Sequence, residues 1–233
     1  MGKRLVQQAR GKGSPAYKAP SFTYKGKATT PRKQTAEILD IIHCRGHSAP
    51  LAQVQFEDNS KGCIIASEGI YVGKKVRMGE KTELEVGNTL ALKNIPEGSL
   101  IYNIESKPGD GGKFVRSSGG AAKLVTRTKD QVIITFPSKK RKAFHPDCRA
   151  SLGVVAGGGR TDKPFVKAGK KYFEMKKRNK YWPKVSGASM NAIDHPLGGT
   201  RSSRKGRPTI VPKNAPPGRK VGMLRPRQTG RKK

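Results

Sequence analysis

The chain has 233 residues and a formal net charge of +33, from 49 Lys+Arg against 16 Asp+Glu. Such a balance calls for a polyanion, either a polyphosphate backbone or an anionic membrane surface. No run approaches the ~20 apolar residues of a membrane span, and no basic amphipathic helix of useful length is present. The basic start of the chain has no apolar stretch behind it, so no secretory signal and a cytoplasmic location are expected.

The charge is unevenly spread: +8 over residues 1–39, −2 over 40–110, +8 over 111–159 and +19 over 160–233. A nearly neutral body between basic flanks is the expected arrangement. Residues 1–35 interleave Tyr17, Phe22 and Tyr24 with Lys, Arg, Gly and Pro and show no hydrophobic period. They are expected to form an extension ordered by a partner. Residues 51–56 alternate, 57–60 turn and 63–66 return, which predicts a hairpin. Strands follow at 70–72, 90–92, 100–104 and 113–115, and 123–127 pairs through the turn 128–130 with 131–136. Short strands broken by Gly, Asn, Asp and Pro predict a mainly β protein of small antiparallel barrels, not βαβ units. The turn-rich joint 93–98 divides the block into 36–92 and 93–159. Phe56, Ile64, Ile65, Val132, Ile134 and Phe136 are expected in the core. Beyond Val155 the pattern fails. One helix is predicted near 168–180, and the prolines after it forbid long elements in the extension 160–233.

Cys44, Cys63 and Cys148 are odd in number and lack a CxxC pair, so no disulfide framework is expected. His43, Cys44 and His47 lack the paired spacing of a zinc site, and neither metal nor cofactor is expected.

The candidate site residues are cations in runs broken by glycine and aromatic rings. Lys139, Lys140, Arg141 and Lys142 follow a predicted strand and mark an RNA-facing rim. The glycines 157–159 precede Arg160 and Lys163. Pro164 after Lys163 rules out a nucleotide-binding P-loop, so these cations are assigned to phosphate contacts. Lys170, Lys171, Lys176, Lys177 and Arg178 lie on the predicted helix with Trp182 close behind. Cations track a backbone while rings stack on unpaired bases. In the loop 190–199, Asp194 beside His195 suggests acid–base chemistry. Adjacency does not make a catalytic pair, and no nucleophile word accompanies it. The reading preferred is a tight turn in which Gly198 and Gly199 bring backbone close to RNA and His195 hydrogen-bonds it. Arg201, Arg204, Lys205, Arg207, Arg219, Lys220, Arg225 and Arg227 complete the set.

Longer words carry a resemblance. HSAPLAQVQF (47–56), GNTLALKNIPEGSLIYNIESKPGDGGKFVRSSG (87–119), HPDCRASLG (145–153), VVAGGGRTDKP (154–164), KRNKYWPKVSGASMNAIDHPLGG (177–199) and PPGRKVG (216–222) resemble the universal large-subunit ribosomal protein L-two family. GGGRTDKP and PPGRKVG point to its archaeal/eukaryotic branch, and HPDCRA to the archaeal side. The resemblance implies an OB-like barrel followed by an SH3-like barrel, with long basic N- and C-terminal extensions on ribosomal RNA. It implies a structural constituent of the large subunit near the peptidyl-transferase region, supporting subunit association, tRNA binding and translation, with no chemistry of its own. The implied partners are large-subunit ribosomal RNA, neighbouring large-subunit proteins, the small subunit across the interface and, indirectly, tRNA. Many bacterial members of the family carry a second histidine where this chain has Leu197, which weakens any mechanism needing two imidazoles.

Overall fold

The structure, a computed structural model, describes residues 12–14, 18, 23–31, 34–79, 82–199, 214, 216 and 221. It contains two compact units, Pro20–Val166 and a second formed by Met1–Ala19 with Lys167–Lys233. The first is mainly β. Its ten strands are β1 Gln34–Ile42, β2 Leu51–Phe56, β3 Lys61–Ile65, β4 Lys75–Met78, β5 Thr89–Ala91, β6 Leu100–Tyr102, β7 Ala122–Arg127, β8 Val132–Thr135, β9 Arg141–Phe144 and β10 Arg149–Leu152. They join in the order β3-β2-β1-β4-β5-β10-β6-β7-β8-β9. All neighbours are antiparallel except β4 and β5, which meet through one parallel pair, Met78 with Thr89.

Local chemistry explains the best-defined hairpin. In β2 the inward positions Ala52, Val54 and Phe56 are buried, and β3 returns Ile64 to the same core. The turn closes because Asp58 accepts hydrogen bonds from the Ser60 N–H (3.1 Å) and hydroxyl (2.6 Å), while Asn59 takes φ 59°. Asn is among the few residues that tolerate this left-handed geometry. Phe144, Val132, Ile134 and Leu124 pack the β7–β9 half with Ile101 and Leu152. A third cluster, including Leu51, Ile65, Tyr102 and Val155, draws on both halves of the sheet. Burial pushes the Tyr102 hydroxyl up to about 12, so it stays neutral and donates to the Ile65 carbonyl. Of the expected core residues only Phe136 is not fully enclosed; it packs at the margin of the β7–β9 cluster.

Several expectations are corrected. Residues 70–72 form a turn instead of a strand, with Tyr71 and Val72 exposed, and the strand begins at Lys75. Residues 113–115 make only an isolated bridge, Phe114 to Ile104. Strands β1, β4, β9 and β10 have no counterpart among the predicted strands. The helix, α1, is Ala168–Lys177, ending earlier than predicted.

Residues 28–31 were expected to await a partner, but the β-unit itself holds them. Arg116 donates to the Ala28 carbonyl (2.6 Å), and Arg149 donates to the carbonyls of Pro31 (2.6 Å) and Thr30 (3.2 Å). Asn103 donates to the Thr30 hydroxyl at 2.9 Å. Arg149 can be buried because Glu105, 2% exposed, faces it at 2.8 Å. The Glu105 carboxylate also accepts from the N–H groups of Gly109, Gly111 and Arg149. A buried charge needs this kind of complete pairing.

Candidate nucleic-acid interface

The structure places the described candidate cations in four settings. The first is the β8–β9 turn, where Lys139 has φ 62° and donates its N–H to the Phe136 carbonyl at 2.8 Å. Lys139, Lys140, Arg141 and Lys142 are all exposed. Lys142 differs from its neighbours. Its register partner is buried Ile134, so it lies on the core side of the hairpin, with its ammonium 4.4 Å from the Phe114 ring centre and 5.0 Å from that of Phe144. It caps an aromatic cluster as well as adding charge.

The second setting is the exit from the β-unit. Gly157 takes φ 79°, and Gly158 lies so close to Gly119 that a Cβ on Gly119 would come within 2.6 Å of its Cα. These glycines therefore serve close packing within the protein. Exposed Arg160 follows, its Nε donating to the Ser118 hydroxyl at 2.9 Å, and Lys163 is exposed beyond it.

The third setting lies in the second unit. Helix α1 has ten residues and buries none of them. Lys170, Lys176 and Lys177 are exposed, Lys171 holds its ammonium 5.5 Å from the Trp182 ring centre, and Arg178 pairs with Glu174 at 2.7 Å. Tyr172 and Phe173 are exposed in edge-to-face contact. Lys176 and Lys177 in the last turn suit the negative end of the helix dipole, whereas the first turn has no acid to balance its own cations.

The fourth is the loop 186–199, in the same unit, and here the histidine reading changes. His195 is buried, and its Nδ1 accepts a hydrogen bond from the Leu197 N–H at 3.1 Å. Gly187 lies directly against the imidazole, where any Cβ would overlap the ring. Gly198 is also internal: a Cβ there would collide with the carbonyls of Met190 and Asn191. Gly199, at φ 148°, has open space around it and is the glycine free to admit another backbone. Thus His195 and Gly198 build the loop's shape, and the exposed surface is offered by their neighbours. Arg201, Arg204, Lys205, Arg207, Arg219, Lys220, Arg225 and Arg227 lie outside the described residues.

A further basic concavity escaped the sequence reading. Lys93, Arg127, Lys129 and His145 line an open hollow of ≈ 660 Å³ together with Asp130 and Asp147. Arg127 is fixed there by donating to the Lys93 carbonyl at 2.7 Å, and Lys93 pairs with Asp147 at 2.8 Å. Hydrogen bonding and charge from Lys93 hold the Asp147 carboxyl below its ordinary range. No local run of charge announces this hollow, because its residues come from three separate turns. Among the described residues no group of three or more His, Cys, Asp or Glu is placed to hold a metal ion, and no helix is long and apolar enough to cross a membrane.

Known proteins give the same address as the sequence words. The family model for the C-terminal domain of ribosomal proteins L2 matches residues 85–217. The chain is 51% identical to the large ribosomal subunit protein uL2 of Archaeoglobus fulgidus, across 99% of each chain. It is 50% identical to that of Methanococcoides burtonii and 47% identical to that of Methanothermobacter thermautotrophicus, across 100% of each chain in both cases. With half of its residues shared along its whole length, and strands, turns and terminal words alike included in the match, the chain belongs to the archaeal-type uL2 family of ribosomal proteins.

Proposed function

We propose that the protein is a structural constituent of the large ribosomal subunit. It binds ribosomal RNA near the peptidyl-transferase region and, by holding that RNA in shape, supports subunit association, tRNA binding and translation in the cytoplasm. The two halves of the sheet act as an OB-like and an SH3-like barrel over 36–92 and 93–159, and the extensions 1–35 and 160–233 follow the RNA. Neighbouring large-subunit proteins and the small subunit complete its surroundings. It performs no chemistry of its own.

The observation that carries this reading is helix α1. Ten residues with no fully buried side chain have little tertiary packing to stabilise them, and an isolated helix of that length is marginal in water. A phosphate surface against Lys170, Lys171, Lys176 and Lys177, with rings available for stacking, supplies the missing stabilisation. Binding of the full chain to large-subunit ribosomal RNA, titrated with salt, tests it. Replacing those four lysines with alanine is expected to flatten the slope of log K against log[salt] by roughly 3, at about 0.7–0.9 per lost phosphate contact. An unchanged slope would remove the helix from the interface.

A further inference from the structure

We propose that the β-unit carries a docking groove for a second polypeptide, a segment with apolar side chains flanked by Lys or Arg. The inference rests on the assembly reading above and assigns a site to one kind of neighbour. The groove is open, ≈ 600 Å³ in volume, and its walls include Glu68, Leu84, Val86, Pro96, Leu100 and Leu152. Leu84, Val86 and Leu100 are 59%, 47% and 48% exposed, and none of them belongs to the three core clusters. Apolar side chains gathered in one concave surface are the usual mark of an interaction site.

The segment bearing Leu84 and Val86 is fixed. Lys74 donates its ammonium to the Val86 carbonyl at 2.9 Å, and Glu83 pairs with Arg77 at 3.3 Å. Gly153, at φ 108°, lies so near that a Cβ would come within 2.8 Å of Val86 Cγ1. The apolar wall is therefore built before any partner arrives.

Charge selects the occupant. Among the described residues no Lys or Arg lines this groove, and Glu68 is the one charged wall residue. Exposed Glu83 and Glu85 flank Leu84 in the chain. A nucleic-acid backbone brought here would meet apolar walls and the Glu68 carboxylate, while the nearby cations Lys74 and Arg77 are already bonded to the Val86 carbonyl and to Glu83. A polypeptide presenting apolar side chains to Leu84, Val86 and Leu100, and cations to Glu68 and Glu85, matches both features.

Photocrosslinking in assembled subunits tests this. Leu84→p-benzoylphenylalanine and Leu100→p-benzoylphenylalanine, each in the full chain, are expected to give adducts to a peptide of another protein that carries apolar residues beside Lys or Arg. Lys140→p-benzoylphenylalanine serves as the RNA-facing reference. With the labelled chain sedimenting in large subunits, groove adducts to nucleotides, adducts within the chain itself, or no adducts while the Lys140 position reacts with RNA, would each overturn the docking site alone. A labelled chain that never enters subunits while remaining folded by circular dichroism would overturn the assembly reading and the groove with it. Glu68→Lys is expected to lower the adduct yield about 2–5-fold, the range of a rim charge pair; an undiminished yield would overturn the basic character assigned to the partner.

Discussion

Glu105→Ala is expected to be the most damaging single substitution of a charged residue in the β-unit. The Glu105 carboxylate accepts five hydrogen bonds: two from the Arg149 side chain (2.8 and 3.2 Å) and one each from the N–H groups of Gly109, Gly111 and Arg149. The Arg149 side chain is itself only 12% exposed. Truncation leaves that guanidinium buried without its carboxylate, a loss of about 3–5 kcal/mol. The three freed backbone donors would add to it if water could not reach them. Against a domain stability of about 5–15 kcal/mol, such a loss brings the unit close to unfolding. With a urea m-value of about 2 kcal/mol/M, the midpoint falls by roughly 2 M. The assay is far-UV circular dichroism, which follows the sheet itself. Residues 28–31, held through Arg149 and Arg116, should loosen at the same time, so tryptic cleavage after Lys27 should quicken. A loss under about 1 kcal/mol would mean that water already satisfies the pair, and would refute the buried-network argument.

The other consequences are smaller and separable. Gly187→Ala places a methyl group where the His195 ring lies, an overpacking cost of about 1–3 kcal/mol; His195 should then react with diethylpyrocarbonate nearly as fast as exposed His43, and continued protection would contradict the packing. Lys140→Ala is expected to lower the RNA salt slope by about 0.7–0.9, whereas Lys142→Ala should also cost about 0.5–1 kcal/mol of stability by uncapping Phe114 and Phe144; equal stability of the two variants would show the ring contact to be idle. Burial pushes the Asp110 carboxyl up, but hydrogen bonds from the N–H groups of Gly112, Ser106 and Lys107, with the Lys113 ammonium, outweigh it and hold the group below its ordinary value. Its stabilisation is therefore complete above the unfolded pKa of about 3.9 and is lost as pH falls through the folded value. Asp110→Asn should flatten the stability curve below about pH 4, and a curve parallel to that of the unaltered protein would count against the assignment.

The hairpins β2–β3 and β7–β8 could be read from sequence because alternation and turn chemistry agree there. Strand β1 could not: Ala36 and Ile38 face the core, but a bulge between Ile38 and Asp40 shifts the register so that Ile41 comes to lie opposite Ala52, and the period of two is broken. Strand β10 hides for another reason. It opens on Arg149, whose burial depends on Glu105, a residue far away in the chain. The basic runs were visible as charge, but their division of labour was not, since Lys140 and Lys142 look alike until Ile134 is found opposite the second. The tightness of the loop at 190–199 was legible in its glycines. That His195 and Gly198 turn inward depends on Gly187 and on the carbonyls of 190–191, contacts with no signature in the sequence.

The placement of Lys142 bears on the protein's life before RNA is available. A sheet whose outer strands are bare invites a second copy to add itself, strand to strand. Beside β3 that opportunity is taken by the chain itself, with the Thr29 N–H bonded to the Cys63 carbonyl at 3.1 Å and Ala28 bridged to the same residue. Beside β9 the guard is electrostatic. Arg141 and Lys142 stand on opposite faces of the strand, and the second holds its ammonium over apolar rings, where an incoming strand would have to desolvate it. The type of side chain that suits the protein to RNA thus also makes this sheet edge costly for a second copy to pair with.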